Sequence, residues 1–284
     1  MDNAGGRMAR WWAALRRTPV AVWNNNVTDW AAALTYYAVL ALFPVLLVIL
    51  SILGLTIPTA RPEVIDRISQ AAPAASRALL RSTLRQMAGQ SSAAWTLIFL
   101  GGAGALWSGS SYLSVFRRAL HAMHRVSAER PLWRTAPRII GTALVLILLL
   151  LTSVLALFLT DSLAMFLGRA LDLGTGPQAV WDALRWPLVV VVAVVMVLVL
   201  YRSGPEPSRP VRKMAPGGVL AVVLLLAVSL GCSVYTSHVG SYHRLYGSLG
   251  SVVVFLVWLW LSNLALLIGA QFNAELAKAD AQGE

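Results

Sequence analysis

The sequence predicts an all-α membrane protein, a polytopic bundle of six transmembrane helices with amphipathic helices on its outer surface. Three observations predict it. First, only 12% of the 284 residues are charged and 58% are hydrophobic, against about 25% charged in ordinary soluble domains. Second, residues 248–272 run for 25 positions without Asp, Glu, Lys or Arg. At ~1.5 Å of rise per residue, that stretch outspans a hydrocarbon core about 30 Å thick. Third, the cations are unevenly placed. With six spans, fifteen Lys or Arg fall on the side of the two termini and seven on the other, with Arg185 at a border. The excess marks the cytoplasmic side and puts both termini there. The net charge of +11 is thereby explained by topology, without nucleic acid.

The elements follow in order. Residues 1–27 form a basic cytoplasmic segment in which Arg7, Arg10, Arg16 and Arg17 interleave with Trp11, Trp12, Leu15 and Trp23. Such a segment is either an interfacial helix on an anionic surface or a plain basic tail. It lacks the apolar run and small-residue cleavage site of a signal peptide. The membrane domain is 28–276. Thr28-Asp29 reads as a helix start, an oxygen and an acid at the positive end of the dipole. The first span, about 30–57, carries Pro44 near its middle, which removes a backbone hydrogen bond and predicts a kink. Residues 58–94 are too polar to cross, and their helical spacing around Pro73 predicts two short amphipathic outer helices.

The second span, 95–116, is glycine-rich. Gly101, Ala105 and Gly109 stand four apart, a spacing that admits a neighbouring backbone. An arginine-rich cytoplasmic loop covers 117–138. The third span, 139–160, is nearly uninterrupted Leu, Val and Ile and faces lipid; an outer loop over 161–182 turns at Gly174-Thr-Gly-Pro177. The fourth span is 183–201, a second basic loop follows, and the fifth span is 215–235. An outer turn motif with Tyr242, Tyr246, Gly247, Ser248 and Gly250 leads into the sixth span, 248–272. Gln271, Asn273 and Glu275 mark its inner end, and 277–284 is a cytoplasmic tail.

Most catalytic chemistry is missing. There is no phosphate-binding G-x-x-x-x-G-K-[ST] loop to drive an ATP pump, and no Gly-x-Ser-x-Gly elbow. The lone cysteine, Cys232, allows neither a disulfide nor a cysteine metal site. His121 and His124 lie three apart without a third ligand beyond Glu129, so they read as solvated residues; His238 and His243 read the same way. We therefore assign no catalytic residue, no metal and no cofactor. The span cores hold no ionisable group of the kind that marks proton pathways. They do hold neutral polar residues at similar depth in the inner half: Tyr36 and Tyr37, Ser108 and Tyr112, and Asn263. In hydrocarbon these need partners. Two readings are open, interhelical hydrogen bonds and a polar cavity opening to the cytoplasm.

Several motifs together resemble the YihY/BrkB family. They are Thr28-Asp29-Trp30 with the run to Pro44-Val45, Trp107-Ser108 with Tyr112 ahead of the arginine loop, Tyr242 with Tyr246-Gly-Ser-Leu-Gly250, and Gly269-Ala-Gln-Phe-Asn-Ala-Glu-Leu276. The resemblance covers roughly 28–276. It implies a bacterial inner-membrane protein of six spans, in a family whose members are labelled virulence factor, ribonuclease BN-like or of unknown function. Family sequences usually carry Glu where this chain has Gln271, so any carboxylate chemistry at that position is absent here. The ribonuclease label meets a physical objection, because a hydrolytic nuclease clusters carboxylates or histidines and the acids here are scattered.

The leading functional expectation is a transporter or flippase-like carrier of a lipid-like or amphiphilic envelope component, not ATP-driven by itself. The alternative is a non-transporting envelope scaffold that docks a protein partner. Membrane lipids are partners under either reading and nucleic acid under neither. The sequence leaves the oligomeric state open.

Overall fold

The computed structural model describes residues 3–56, 91–124, 132–170, 176–204, 210–238 and 242–281. Among them the chain is all helix: α1 (Asn3–Asn24), α2 (Val27–Thr56), α3 (Ser91–His124), α4 (Leu132–Ala170), α5 (Gly176–Arg202), α6 (Val211–His238) and α7 (Tyr242–Ala281). The amphipathic pair expected over 58–94 lies outside the described residues, apart from the first residues of α3. By length and composition, four helices among the described residues contain segments able to cross a membrane: Val27–Ile49, Thr135–Val154, Val211–Ser237 and Gly250–Asp280. A shorter apolar segment covers Pro187–Arg202. The glycines and serines of α3 dilute its hydropathy, so the expected second span is not among the four.

Three boundaries differ from expectation. The segment Tyr242–Gly250, read above as a turn, is the first part of the 40-residue helix α7. The outer loop expected over 161–182 is largely helical, since α4 continues through Ala170 and α5 begins at Gly176. The basic loop expected over 117–138 is shortened by α3, which reaches His124, and by α4, which starts at Leu132. Glycine costs about 1 kcal/mol in a helix. A long helix absorbs that cost where no proline breaks it, and 242–281 contains none.

The chain forms two compact units, Met1–Tyr36 with Ser110–Glu284, and Tyr37–Gly109. In the second, the glycine face of α3 meets Pro44 of α2. A Cβ on Gly101 would stand 3.1 Å from the Pro44 carbonyl oxygen and from Val48, and one on Gly104 would stand 3.2 Å from the Pro44 ring. The close approach predicted from Gly101 and Ala105 is there, with Gly104 as the other contact. Pro44 lies inside α2 without ending it.

In the first unit α1 packs on α7, α7 on α6, α6 on α5 and α5 on α4. The N-terminal segment is thus a docked helix. It buries Ala14 and Thr18 and leaves Trp12, Arg16, Arg17 and Trp23 exposed. Two residues join it to α2, and Asn26 there takes a left-handed φ of 50°, a conformation that asparagine tolerates. The Asn26 carbonyl accepts from the N–H groups of Asp29 and Trp30 at 3.1 and 3.2 Å, starting α2. Burial concentrates on 262–275 of α7 and the start of α6. Farther along α6, Val219, Val223, Leu226, Leu230 and Val234 form an exposed apolar stripe. Spacings of four, three, four and four put those five on one helix face, a surface suited to lipid.

Candidate functional site

Of the polar residues predicted at similar depth, Tyr112 and Asn263 are bonded to each other. Within the first unit, the Tyr112 hydroxyl donates to Asn263 Oδ1 at 2.9 Å, and Asn263 Nδ2 donates to Thr35 Oγ1 at 3.1 Å. The Thr35 hydroxyl in turn donates to the Ala31 carbonyl at 2.8 Å. Asn263 is buried, at 3% exposure, and this chain of bonds ties α7 to α3 and α2. Its member on α2 is Thr35, which sequence reasoning passed over for its neighbours. Tyr36 is 62% exposed, and Tyr37 belongs to the other unit. Ser108, also in that unit, turns its hydroxyl back on its own helix, donating to the Gly104 carbonyl at 2.8 Å. Serine does this readily in a helix, because an i−4 carbonyl lies within reach of its short side chain.

Removing one of these bonds tests their weight. Tyr112→Phe keeps the ring stacked on Phe116, at a 6.4 Å centroid distance, and loses only the hydroxyl. Interhelical hydrogen bonds in membranes average about 0.6 kcal/mol with a maximum near 1.7. Denaturation of the purified protein in mixed detergent should show a loss in that range, and a double-mutant cycle with Asn263→Ala should assign it to this pair.

A denser cluster stands where α6 begins and the buried part of α7 ends. Asn273 Oδ1 accepts from the Gly217 backbone N–H at 2.8 Å, and Asn273 Nδ2 donates to the Met214 carbonyl at 2.9 Å. One side-chain amide therefore serves two backbone groups of the neighbouring helix. Gly217 and Gly269 face each other there. A Cβ on either would collide with the other's carbonyl oxygen, so the two backbones touch. Close by, the Tyr201 hydroxyl donates to the Leu266 carbonyl at 2.7 Å, joining α5 to α7. Its ring stacks on Phe116 at 6.3 Å. Sequence reasoning missed Tyr201 and the Gly217–Gly269 crossing. The available signal was Gly269 four residues before Asn273, with Pro216-Gly217-Gly218 opening the preceding apolar run.

Gln271 and Glu275, one turn apart on α7, belong to a second chain of bonds. Asn25 Nδ2 donates to Gln271 Oε1 at 2.9 Å, Gln271 Nε2 donates to Glu275 Oε1 at 3.2 Å, and Lys278 Nζ donates to the same Glu275 oxygen at 2.6 Å. Gln271 is fully buried and Glu275 is 6% exposed. A glutamine suits the middle place because it both accepts and donates; a glutamate there would set two carboxylates together. Arg10 pairs with Asp280 at 3.1 Å, and Trp11 meets Phe272 edge-on at 5.9 Å. Both contacts fasten α1 to the same end of α7.

His121 and His124 each donate from Nδ1 to a carbonyl one turn back, Arg117 O at 2.7 Å and Leu120 O at 2.8 Å. Among the described residues no three of His, Cys, Asp and Glu stand close enough to share a metal. Helix α7 begins at Tyr242, and the side chains of Tyr242, Tyr246 and Ser248 lie outside the described residues. Two grooves are apolar. One, of about 370 Å³, runs between α6 and α7 along Val228, Gly231, Cys232, Tyr235, Val253 and Val257. The other, of about 300 Å³, is lined by α1, α6 and α7 and includes Trp11, Trp12, Pro216, Val219 and Phe272.

Apolar crossing segments, lipid-suited stripes and polar groups spent on helix-to-helix bonds define a multi-pass α-helical membrane protein. Residues 19–284 match the family model described as Virulence factor BrkB, and the chain belongs to that family. It is 28% identical to the ribonuclease-like protein YfkH of Bacillus subtilis (strain 168), whose name carries that activity as a conjecture; the 252 aligned residues cover 87% of this chain and 89% of YfkH. It is also 28% identical over 255 residues to a UPF0761 membrane protein of Alkalilimnicola ehrlichii, covering 87% of this chain and 54% of that one. A UPF0761 membrane protein of Xanthomonas oryzae pv. oryzae (strain PXO99A) is 32% identical over 110 residues, 38% of this chain and 26% of the relative. The chain thus spans most of YfkH, about half of the Alkalilimnicola protein and about a quarter of the Xanthomonas one. No solved structure matches it.

Proposed function

We propose that this chain is a six-span protein of the bacterial cytoplasmic membrane, with both termini cytoplasmic, that carries a lipid-like or amphiphilic envelope component without hydrolysing ATP itself. The charge asymmetry supports the orientation. The observation that carries the functional reading is the groove between α6 and α7. It is about 370 Å³ in volume and lined by Val228, Gly231, Cys232, Tyr235, Val253 and Val257 among others. An apolar slot between two crossing helices is complementary to a hydrocarbon chain. The Trp258 Nε1–H, donating to Ser229 Oγ at 3.2 Å, joins the two helices beside it. The reading assigns no nuclease chemistry, since metal-assisted hydrolysis needs clustered ligands.

The test uses the full chain in liposomes with a lipid bearing a photoreactive acyl chain and a fluorescent lipid whose leaflet is reported by an impermeant quencher. Crosslinks should map to 228–235 and 253–261, and labelled lipid should change leaflet faster than in protein-free vesicles. Gly231→Phe fills the slot at a position where a Cβ meets nothing within 4 Å. It should lower crosslinking about tenfold, the equivalent of ~1.4 kcal/mol, and slow leaflet exchange. Crosslinks spread along every exposed stripe, with exchange no faster than in empty vesicles, would overturn the reading.

The second reading, a non-transporting envelope scaffold, is favoured by the chain Tyr112–Asn263–Thr35, in which polar groups satisfy one another. Single cysteines at Tyr37, Ser108 and Asn263 in a Cys232→Ala background separate the two. Labelling from the cytoplasmic face by an impermeant thiol reagent marks a hydrated path, and protection from both faces marks a dry interface.

A further inference from the structure

The groove lined by α1 and α6 differs from the one between α6 and α7, because exposed cations stand one helical turn from its lining residues on both helices. Its walls are Trp11, Trp12 and Leu15 of α1, Pro216, Val219 and Val223 of α6, and Phe272 of α7. Arg212 stands one turn before Pro216, so it continues the stripe formed by Pro216, Val219 and Val223 on one helix face. Arg16 stands one turn after Trp12 on α1 and extends that wall in the same manner. Arg16, Arg17, Arg212 and Lys213 are all exposed. At the nearby end of α7, Glu275 and Asp280 are engaged by Lys278 and Arg10. The amino end of α6 adds the positive end of a 28-residue helix. Two of its wall residues, Val219 and Val223, are exposed and lead into the lipid-suited stripe of α6.

We infer that this groove holds the acyl chain of an anionic phospholipid, with the headgroup at Arg212, Lys213 and Arg16. The commitment to lipid comes from the pairing of features. A cationic rim alone would take any phosphate, and an apolar slot alone would take any hydrocarbon. One molecule that satisfies both is an amphiphile with an anionic head. Trp11 and Trp12 add indole rings of the kind that settle at the level of headgroups. The bound lipid would wedge between α1 and α6 and hold the N-terminal helix on the bundle. This inference does not depend on the carrier reading, because it concerns a resident lipid at a different groove.

The test is native mass spectrometry of the full-length protein extracted in mild detergent, offered phosphatidylglycerol or phosphatidylcholine with the same acyl chains. The protein should retain phosphatidylglycerol preferentially, and millimolar inorganic phosphate should not displace it. Each of Arg16→Gln, Arg212→Gln and Lys213→Gln should weaken retention about fivefold, the worth of one cation at an anionic headgroup. Val219→Phe, which fills the slot with every cation intact, should weaken it too. Arg118→Gln with Arg138→Gln removes the same kind of charge from exposed sites elsewhere and should leave retention unchanged. Equal retention of the two lipids would overturn the inference. So would displacement by phosphate, or an equal loss in the Arg118/Arg138 control, since either reduces the effect to charge alone. The thermal midpoint of each variant is measured alongside. A variant that unfolds is replaced by charge-retaining Arg212→Lys, which should keep the preference.

Discussion

Gly269→Leu, and separately Gly217→Leu, should stop α6 and α7 from docking and reduce the folded yield to a small fraction of the parent's. At both positions an added Cβ collides with the partner's backbone carbonyl, and at Gly269 it also meets the Tyr201 hydroxyl and the Ala221 Cβ. A flexible side chain could swing away from such a collision, but a backbone oxygen moves only with its whole helix. Overpacking a core costs about 1–3 kcal/mol where side chains can adjust, so the loss here belongs at or above the top of that range. The consequences also reach past the crossing, because parting these helices strains the Tyr201–Leu266 and Asn273 bonds on either side of it. Fluorescence-detected size-exclusion chromatography of a tagged protein, before and after heating, reads the outcome. The controls are Gly231→Leu and Gly102→Leu, where a Cβ meets nothing within 4 Å; each should stay within about 0.5 kcal/mol of the parent. Equal tolerance at all four positions would mean that the two helices do not cross at Gly217 and Gly269.

This crossing shows what a sequence can and cannot disclose. Helical class, apolar length and the small-residue face of α3 were legible, because each is a property of one segment read against lipid. The pairing of that face with Pro44 was not, since it depends on which neighbour arrives. Asn263 and Tyr112, paired in the sequence by their distance from the helix ends, do meet. Rotation was not legible: one residue turns a helix by about 100°, which separates the bonded Thr35 from the exposed Tyr36. The glycines and serines of 242–250 looked like a turn by the rules of soluble proteins. In hydrocarbon a helix supplies its own backbone partners, and α7 runs through them. The inner-end residues Gln271, Asn273 and Glu275 stood out as polar in sequence, yet their partners Asn25, Met214 and Gly217 lie far away in the chain.

Asn273→Leu should cost about 2–6 kcal/mol, from two buried backbone groups that each lose a partner at about 1–3 kcal/mol. Leucine has the heavy-atom count and branching of asparagine, so it keeps the side chain's shape and removes its hydrogen bonds. Asn273→Asp should not rescue it. The carboxylate can still accept from the Gly217 N–H, but it faces the Met214 carbonyl with nothing to donate and brings a charge into a buried site. Pro216 lies between the two backbone groups that Asn273 serves, but the group a proline there leaves without a helical donor is the Arg212 carbonyl, one turn back. Pro216→Ala restores that donor and touches neither bond of the amide. Asn273→Leu should therefore cost the same in the Pro216→Ala background as in the parent, within about 0.5 kcal/mol. Chemical denaturation of the four proteins of this cycle decides it. Additive losses would show that the amide glues α7 to α6, whereas coupled losses would show that it completes the backbone of a helix its proline interrupts.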